Sequence, residues 1–215
     1  FIRSGSLARS GSKRIKKKTK TEAEVASEKE WLEAEKVWVV HKGGFSGGRM
    51  LKSSPATDDA EADTTRKVKL DHGGEIMNID EDCIEKANPP RYDRSEDLAA
   101  LRHLNEPSCL HTLRQRYGSS LIHTYAGQVM IIINPLKNLA IYTDKVIQMF
   151  RGCKQEDMPP HIYASAQTTY RNMLATNADQ SLVFMGPSGS GKSVNCAHLL
   201  HYFCSTSVSP QSSLT

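Results

Sequence analysis

Ser181-Leu182-Val183-Phe184-Met185, followed by Gly186-Pro187-Ser188-Gly189-Ser190-Gly191-Lys192-Ser193, is the stretch whose reading decides the fold. Its first five residues form a short apolar run of the kind that makes a buried strand. The next eight fit the pattern G-x-x-x-x-G-K-[ST], and residues 192–202 continue with Val194, Ala197, Leu199 and Leu200 near helical spacing. Strand, glycine-rich loop and helix, in that order, are the context a phosphate-binding P-loop needs.

Gly186, Gly189 and Gly191 permit backbone angles closed to other residues, so successive N–H groups can turn inward around an anion. Lys192 would set its ammonium at the β- and γ-phosphates, Ser193 would offer a hydroxyl to Mg²⁺, and the helix N-terminus adds its dipole. The expectation is that Gly186, Pro187, Ser188, Gly189, Ser190, Gly191, Lys192 and Ser193 hold ATP, with Ser193 the metal-directed group. The competing reading is a turn that matches the pattern by coincidence. Hydrolysis would also need groups that hold Mg²⁺ and orient water, and residues 194–215 contain no Asp, Glu or Arg. No catalytic residue is assigned.

Working backwards, Gln128-Val129-Met130-Ile131-Ile132-Ile133 reads as another strand buried on both faces of a parallel or mixed sheet, ended by Asn134-Pro135. Helical patterns cover residues 144–151 and 161–175, the latter opened by Pro159-Pro160. Residues 93–103 and 108–117 read as short helices, capped at Asp93 or Ser95 and at Ser108. Asn88-Pro89-Pro90 interrupts the pattern, so a unit boundary falls near residue 86. Before it, residues 36–41, 49–52, 66–70 and 75–79 read as four short strands with turns at Gly43-Gly44, Gly47-Gly48 and 71–74, predicting a small β-barrel. Residues 21–36 alternate charges among Ala, Trp31 and Leu32, as an exposed helix would.

The net charge of +4 over 215 residues is a property of one end. Eight Lys and Arg fall in the first twenty residues with no acid, which leaves −4 for the remainder. A globular nucleic-acid-binding face is therefore not implied. The basic segment should be disordered, with an acidic partner as the sharper reading of its charge. The five cysteines are scattered and form no Cys-x-x-Cys pair, which argues against a disulfide framework or zinc site and for a reducing, cytoplasmic compartment. No run is long enough to span a bilayer, and no apolar stretch follows the basic start as a secretory signal would require. The Ser-rich ending and the absence of an initial Met give both ends the look of a fragment's.

From about Val37 to Phe203 the chain resembles the front of a myosin motor domain. Val37-Trp38-Val39 resembles the first strand of the SH3-like module that precedes many such motors, and Asn88-Pro89-Pro90 the linker that leaves it. Glu96-Asp97-Leu98, residues 103–110, Leu113-Arg114-Gln115-Arg116-Tyr117, residues 122–127 and Ile133-Asn134-Pro135 follow in the family's order. Pro159-Pro160-His161-Ile162-Tyr163 and Gln180-Ser181-Leu182 complete the match. The resemblance implies that Asn134, Pro135 and Tyr142, with Lys137 between them, frame the adenine of ATP. It also implies actin filaments as partner and the cytoskeleton as location.

Conventional myosins have Gly-Glu-Ser-Gly-Ala-Gly-Lys-Thr, whereas here Pro187 replaces Glu, Ser190 replaces Ala and Ser193 replaces Thr. Pro187 removes one amide donor, worth about 1 kcal/mol of phosphate contact if that amide faces the ligand. The variant loop, the charged lead-in and phrases such as Glu85-Lys86-Ala87-Asn88 and residues 111–117 are most similar to class XVIII myosins, which implies weak or absent ATPase and an actin-tethering role. The expected fold is α/β: residues 1–35 a basic then charged lead-in, 36–86 an SH3-like β module, 87–204 the N-terminal part of a P-loop motor core with an incomplete mixed sheet, and 205–215 a disordered tail. The expected function is that of an ATP-binding fragment of a motor protein, or alternatively a non-enzymatic scaffold module with a structural P-loop.

Overall fold

The computed structural model describes residues 22, 25, 26, 29, 31, 35–51 and 65–207. The basic first segment and the last eight residues, on which the disorder expectations fall, lie outside that set, as does most of the expected polar loop after Leu51. The described residues between 22 and 31 are helical, in line with the charged lead-in.

Five strands form one antiparallel sheet: β1 Lys36–His41, β2 Gly44–Met50, β3 Thr65–Leu70, β4 Ile76–Asp80 and β5 Ile84–Lys86, in the order β4-β3-β2-β1-β5. The expected barrel does not close, because β4 and β5 are opposite edges and do not pair among the described residues. Alternation along β1 and β3 puts Val37, Val39 and Val68 inside, against Leu70, Ile79 and Ile84. The expected turn at Gly47-Gly48 is instead the middle of β2, with Gly48 opposite Val37 and Leu70. A Cβ on Gly48 would come within 2.7 Å of Val68 Cγ1 and 3.0 Å of Lys69 O. Glycine marks a close approach there, and the chain turns at residues 71–74, where Gly73 and Gly74 have positive φ.

Beyond the sheet, Asn88 accepts from His103 N and donates to His103 O, both at 2.8 Å, clipping the Pro-rich linker to the segment before the first long helix. That helix, α1 Glu106–Gly118, starts earlier than expected and is capped by Asn105, whose side chain accepts from Ser108 N at 2.9 Å. Residues 93–103 do not make the predicted helix. Only a 3₁₀ turn at Leu98–Ala100 forms, because Asp97 accepts from Ala99 N and Gly127 N while Tyr125 N donates to Glu96 O, tying the segment beside the next hairpin.

That hairpin is β6 His123–Ala126 with β7 Val129–Ile132, antiparallel around Gly127. The sequence predicts that the second strand is buried on both faces of a larger sheet, yet among the described residues it pairs only with β6, and Val129 is exposed. Residues 181–185 form no strand at all: Val183 is 78% and Met185 83% exposed. An extended run becomes a strand only when a neighbour satisfies its N–H and C=O groups, and no described residue does so here.

Three helices carry the main core: α2 Asp144–Phe150, α3 Ile162–Thr176 and α4 Lys192–Ser207. The last runs through residues 205–207, which the sequence assigns to the tail. Ile147 and Phe150 of α2, Ile162, Tyr163 and Ala166 of α3, and Leu199 and Tyr202 of α4 bury one another. The Tyr202 hydroxyl donates to Gln167 Oε1 at 2.6 Å, crossing from α4 to α3 inside that core.

Candidate functional site

The eight-residue loop at 186–193 is shaped by its glycines. Gly186, Gly189 and Gly191 have φ of 145°, 78° and 93°. Ser190 N donates to Pro187 O, closing a turn whose third residue, Gly189, needs the left-handed region. At Gly186 a Cβ would lie 2.9 Å from Ser190 Oγ, so only glycine fits beside that serine. The Lys192 ammonium folds back over the loop and donates to Gly186 O at 2.8 Å and Pro187 O at 2.7 Å.

Two asparagines, both beside Gly191, fasten the loop. Asn134 Nδ2 donates to Gly189 O at 2.8 Å, and its Oδ1 accepts from Leu136 N. Asn195, one turn into α4, donates from Nδ2 to Gly191 O at 3.0 Å. A carbonyl can only accept, so the amide orientation of each asparagine is settled by these bonds. Asn195 Oδ1 and Ser190 Oγ are buried without a hydrogen-bond partner among the described residues.

A cavity of about 530 Å³ opens beside the loop, lined by Asn134, Pro135, Lys137, Tyr142, Gly191, Val194, Asn195 and His198 among others. The structure thus brings Asn134, Pro135, Tyr142 and Gly191 to one cavity. Lys192 and Ser190 face a neighbouring space of about 460 Å³, and Ser193 is exposed on the first turn of α4. Tyr142 is fixed on three sides: it stacks on His198 with centroids 3.8 Å apart and planes 7° apart, its hydroxyl lies 3.2 Å from His123 Nε2, and its carbonyl accepts from the Tyr163 hydroxyl.

Burial sets the electrostatics of this wall. His123 is lowered to about 3, first by burial and then by His161, Arg116 and His198. Burial also lowers His161 to about 4, against an opposing hydrogen bond to Ile141 O. Tyr142 is raised to about 12 by burial and by Tyr163. At neutral pH the aromatic wall is uncharged. His161 Nδ1 accepts from Tyr163 N, capping α3, and its Nε2 lies 3.1 Å from Ile141 O, which selects the neutral tautomer with hydrogen on Nε2.

The donor set fits a phosphate chain. The loop carries a lysine and no carboxylate, and the first amides of α4 have no partner within the helix. Asn195 and His198 are absent from the residues that sequence pattern alone singles out. Their signal lies in their spacing, four and seven residues after Gly191, which places both on the α4 face that turns back over the loop.

The model of the myosin head (motor domain) family matches residues 95–214. Unconventional myosin-XVIIIa of Mus musculus is 52% identical over 193 residues, covering 89% of this chain and 9% of that protein. Myosin-14 of Mus musculus and of Homo sapiens are each 38% identical over 183 residues, or 85% of this chain and 9% of theirs. The chain therefore spans 9% of the length of these curated relatives. With more than half of its residues matched by the family model, the chain belongs to the myosin head (motor domain) family.

Proposed function

We propose that this chain is the ATP-binding front part of an actin-associated cytoskeletal motor protein, with residues 186–193 as the phosphate loop and weak or absent ATPase. The observation that carries this reading is the bond from Asn134 to Gly189 O, which joins the glycine-rich loop to the base-sized cavity as one feature. A nucleoside triphosphate laid across it would place its phosphates on the loop and its base against Pro135 and Tyr142.

Each part of the chain then has a task. The amides of Gly189, Gly191, Lys192 and Ser193 would hold the phosphates, and Lys192, which now donates to Gly186 O and Pro187 O, would supply its charge to the terminal ones. The Ser193 hydroxyl, exposed at the helix start, would hold Mg²⁺, which neutralises phosphate charge when bound. Tyr142 and Pro135 exclude water from the base. The sheet of residues 36–86 serves as the SH3-like module, although it is open. The acidic partner expected for residues 1–20 gains no support from any described residue.

A second reading, a scaffold module whose loop is structural, is favoured by one feature: Pro187 offers no amide, and its carbonyl already holds Ser190 N and Lys192 Nζ. Equilibrium binding of Mg·ATP to the intact chain and to Lys192→Ala separates them. The expected result is a loss of affinity of about tenfold or more, roughly 1.4 kcal/mol. Affinity indifferent to Lys192 contradicts the phosphate-loop reading and leaves the scaffold.

A further inference from the structure

Tyr142 forms the aromatic wall of the base-sized cavity, and the question is what holds it there. It follows the Asn134-Pro135 bend in a stretch that forms no helix or strand: residues 133–143 make only turns and bends before α2. Leu136, at the mouth, sits at φ 53° and is 86% exposed. A tyrosine on such a segment gets its direction from the groups around its ring. Three of these come from elsewhere in the fold: His123 on β6 at the hydroxyl, Tyr163 on α3 at an edge-to-face angle of 80°, and His198 on α4 flat against the face.

His198 is the one of the three that also lines the cavity. It lies three residues after Asn195 on α4, the helix that begins at Lys192 of the loop, so Lys192, Asn195 and His198 belong to one rigid element. Burial and the nearby His201 hold His198 below the ordinary histidine range, so its imidazole stacks as a neutral ring.

We propose that His198 is a positioning residue for base recognition: by stacking on Tyr142 it holds that ring back as a cavity wall and keeps the space open for the base of a nucleotide. The proposal rests on the nucleotide-binding reading above and adds to it a residue outside the loop. Without the imidazole face, Tyr142 loses its stacked neighbour and keeps only edge and tilted contacts from His123, His161 and Tyr163, so its ring can shift toward the cavity and compete with the base. His123 cannot hold the ring by itself, because a single hydroxyl contact at 3.2 Å leaves rotation about that point open. Phosphate contacts, which lie at the loop, are untouched.

The test compares two probes on the intact chain: Mg·ATP, which has a base, and Mg·tripolyphosphate, which has none. His198→Ala should weaken Mg·ATP binding about tenfold and leave tripolyphosphate binding within twofold. His198→Phe, which restores a flat neutral face, should return most of the lost ATP affinity. Unchanged ATP affinity in His198→Ala overturns the positioning role while leaving the nucleotide site in place. Equal loss for both probes, or no rescue by Phe, also overturns it by pointing to a general structural effect. If the unaltered chain binds neither probe, the nucleotide reading fails and this proposal with it.

Discussion

Arg116, on α1, is 3% exposed and makes no ion pair among the described residues, yet each nitrogen of its guanidinium is used. Nε donates to Thr124 Oγ1 at 2.9 Å, Nη1 to Arg94 O at 3.0 Å and Nη2 to His123 O at 2.8 Å. One side chain thus ties α1 to β6 and to the turn at Arg94, and β6 leads through β7 to Asn134 at the loop. Replacing Arg116 by Ala strands two buried acceptors, on Thr124 and His123, and a part-buried one on Arg94, and opens a cavity, which should cost about 3 kcal/mol, read from urea unfolding midpoints. A loss below about 1 kcal/mol would mean that water satisfies those acceptors instead. Gly48 tests the sheet in the same way. Adding a methyl forces Val68 or the Lys69 carbonyl to shift, and Gly48→Ala should cost about 1–3 kcal/mol in the same measurement. Loss-free folding of that variant would contradict the close packing of β2 on β3. The bends of the loop at 186–193 were legible one by one, because the positive φ of Gly186, Gly189 and Gly191 follows from residue type. Asn195 and His198 were not, since an asparagine and a histidine on a helix gain meaning only from what the helix faces.

At the scale of elements, the His161 cap depends on a neutral imidazole, and burial disfavours the charged form of His123 beside it as well. Both groups lie well below the unfolded value of 6.5, at about 4 and about 3. The unfolded chain therefore takes up protons first as pH falls, so the stability these histidines contribute is fully present above pH about 6.5 and is lost progressively toward pH about 4. Thermal midpoints of the intact chain should drop across that window, and the drop should be shallower in His161→Asn, whose amide can still cap α3. An identical profile in that variant would show that His161 does not carry the acid sensitivity. Element type was readable wherever the hydrophobic period was helical: residues 144–151 and 161–175 became α2 and α3 with ends within a residue or so. It was misread where type depends on a neighbour. Residues 128–133 and 181–185 have the composition of central strands, but a composition cannot supply the ladder partners that make one. Glycines fooled the reading in the opposite sense at Gly47-Gly48, where the lack of a side chain serves strand packing instead of a turn.

On the scale of the whole molecule, apolar surface is distributed unevenly. Leu182, Val183 and Met185 on the segment before the loop are exposed, as are Met173 and Leu174 at the end of α3. Groups of this kind on a folded chain mark surface that a further partner or segment would cover. The intact chain should bind a hydrophobic reporter dye under native conditions, and Val183→Asp with Met185→Lys should lower that signal without lowering the thermal midpoint. A fall in the midpoint would mean that these side chains are packed. The described parts meet at a few defined points, among them Trp38 Nε1 to Ser108 Oγ at 3.2 Å and the Asn88–His103 clip. Through them the open five-stranded sheet abuts α1, whose Arg116 reaches β6, so the frame behind the site begins well upstream of it.

The account stands on the loop at 186–193 being a phosphate nest coupled to the cavity behind Asn134. Amide hydrogen exchange of the intact chain with and without Mg·ATP reads that claim at the atoms concerned. The predicted result is slowed exchange at Gly189, Gly191, Lys192 and Ser193, together with the Leu136 amide beside the cavity, and no change on β1–β5. Unaltered exchange through residues 186–193 at a nucleotide concentration in the millimolar range, about the weakest affinity a working site would show, contradicts it.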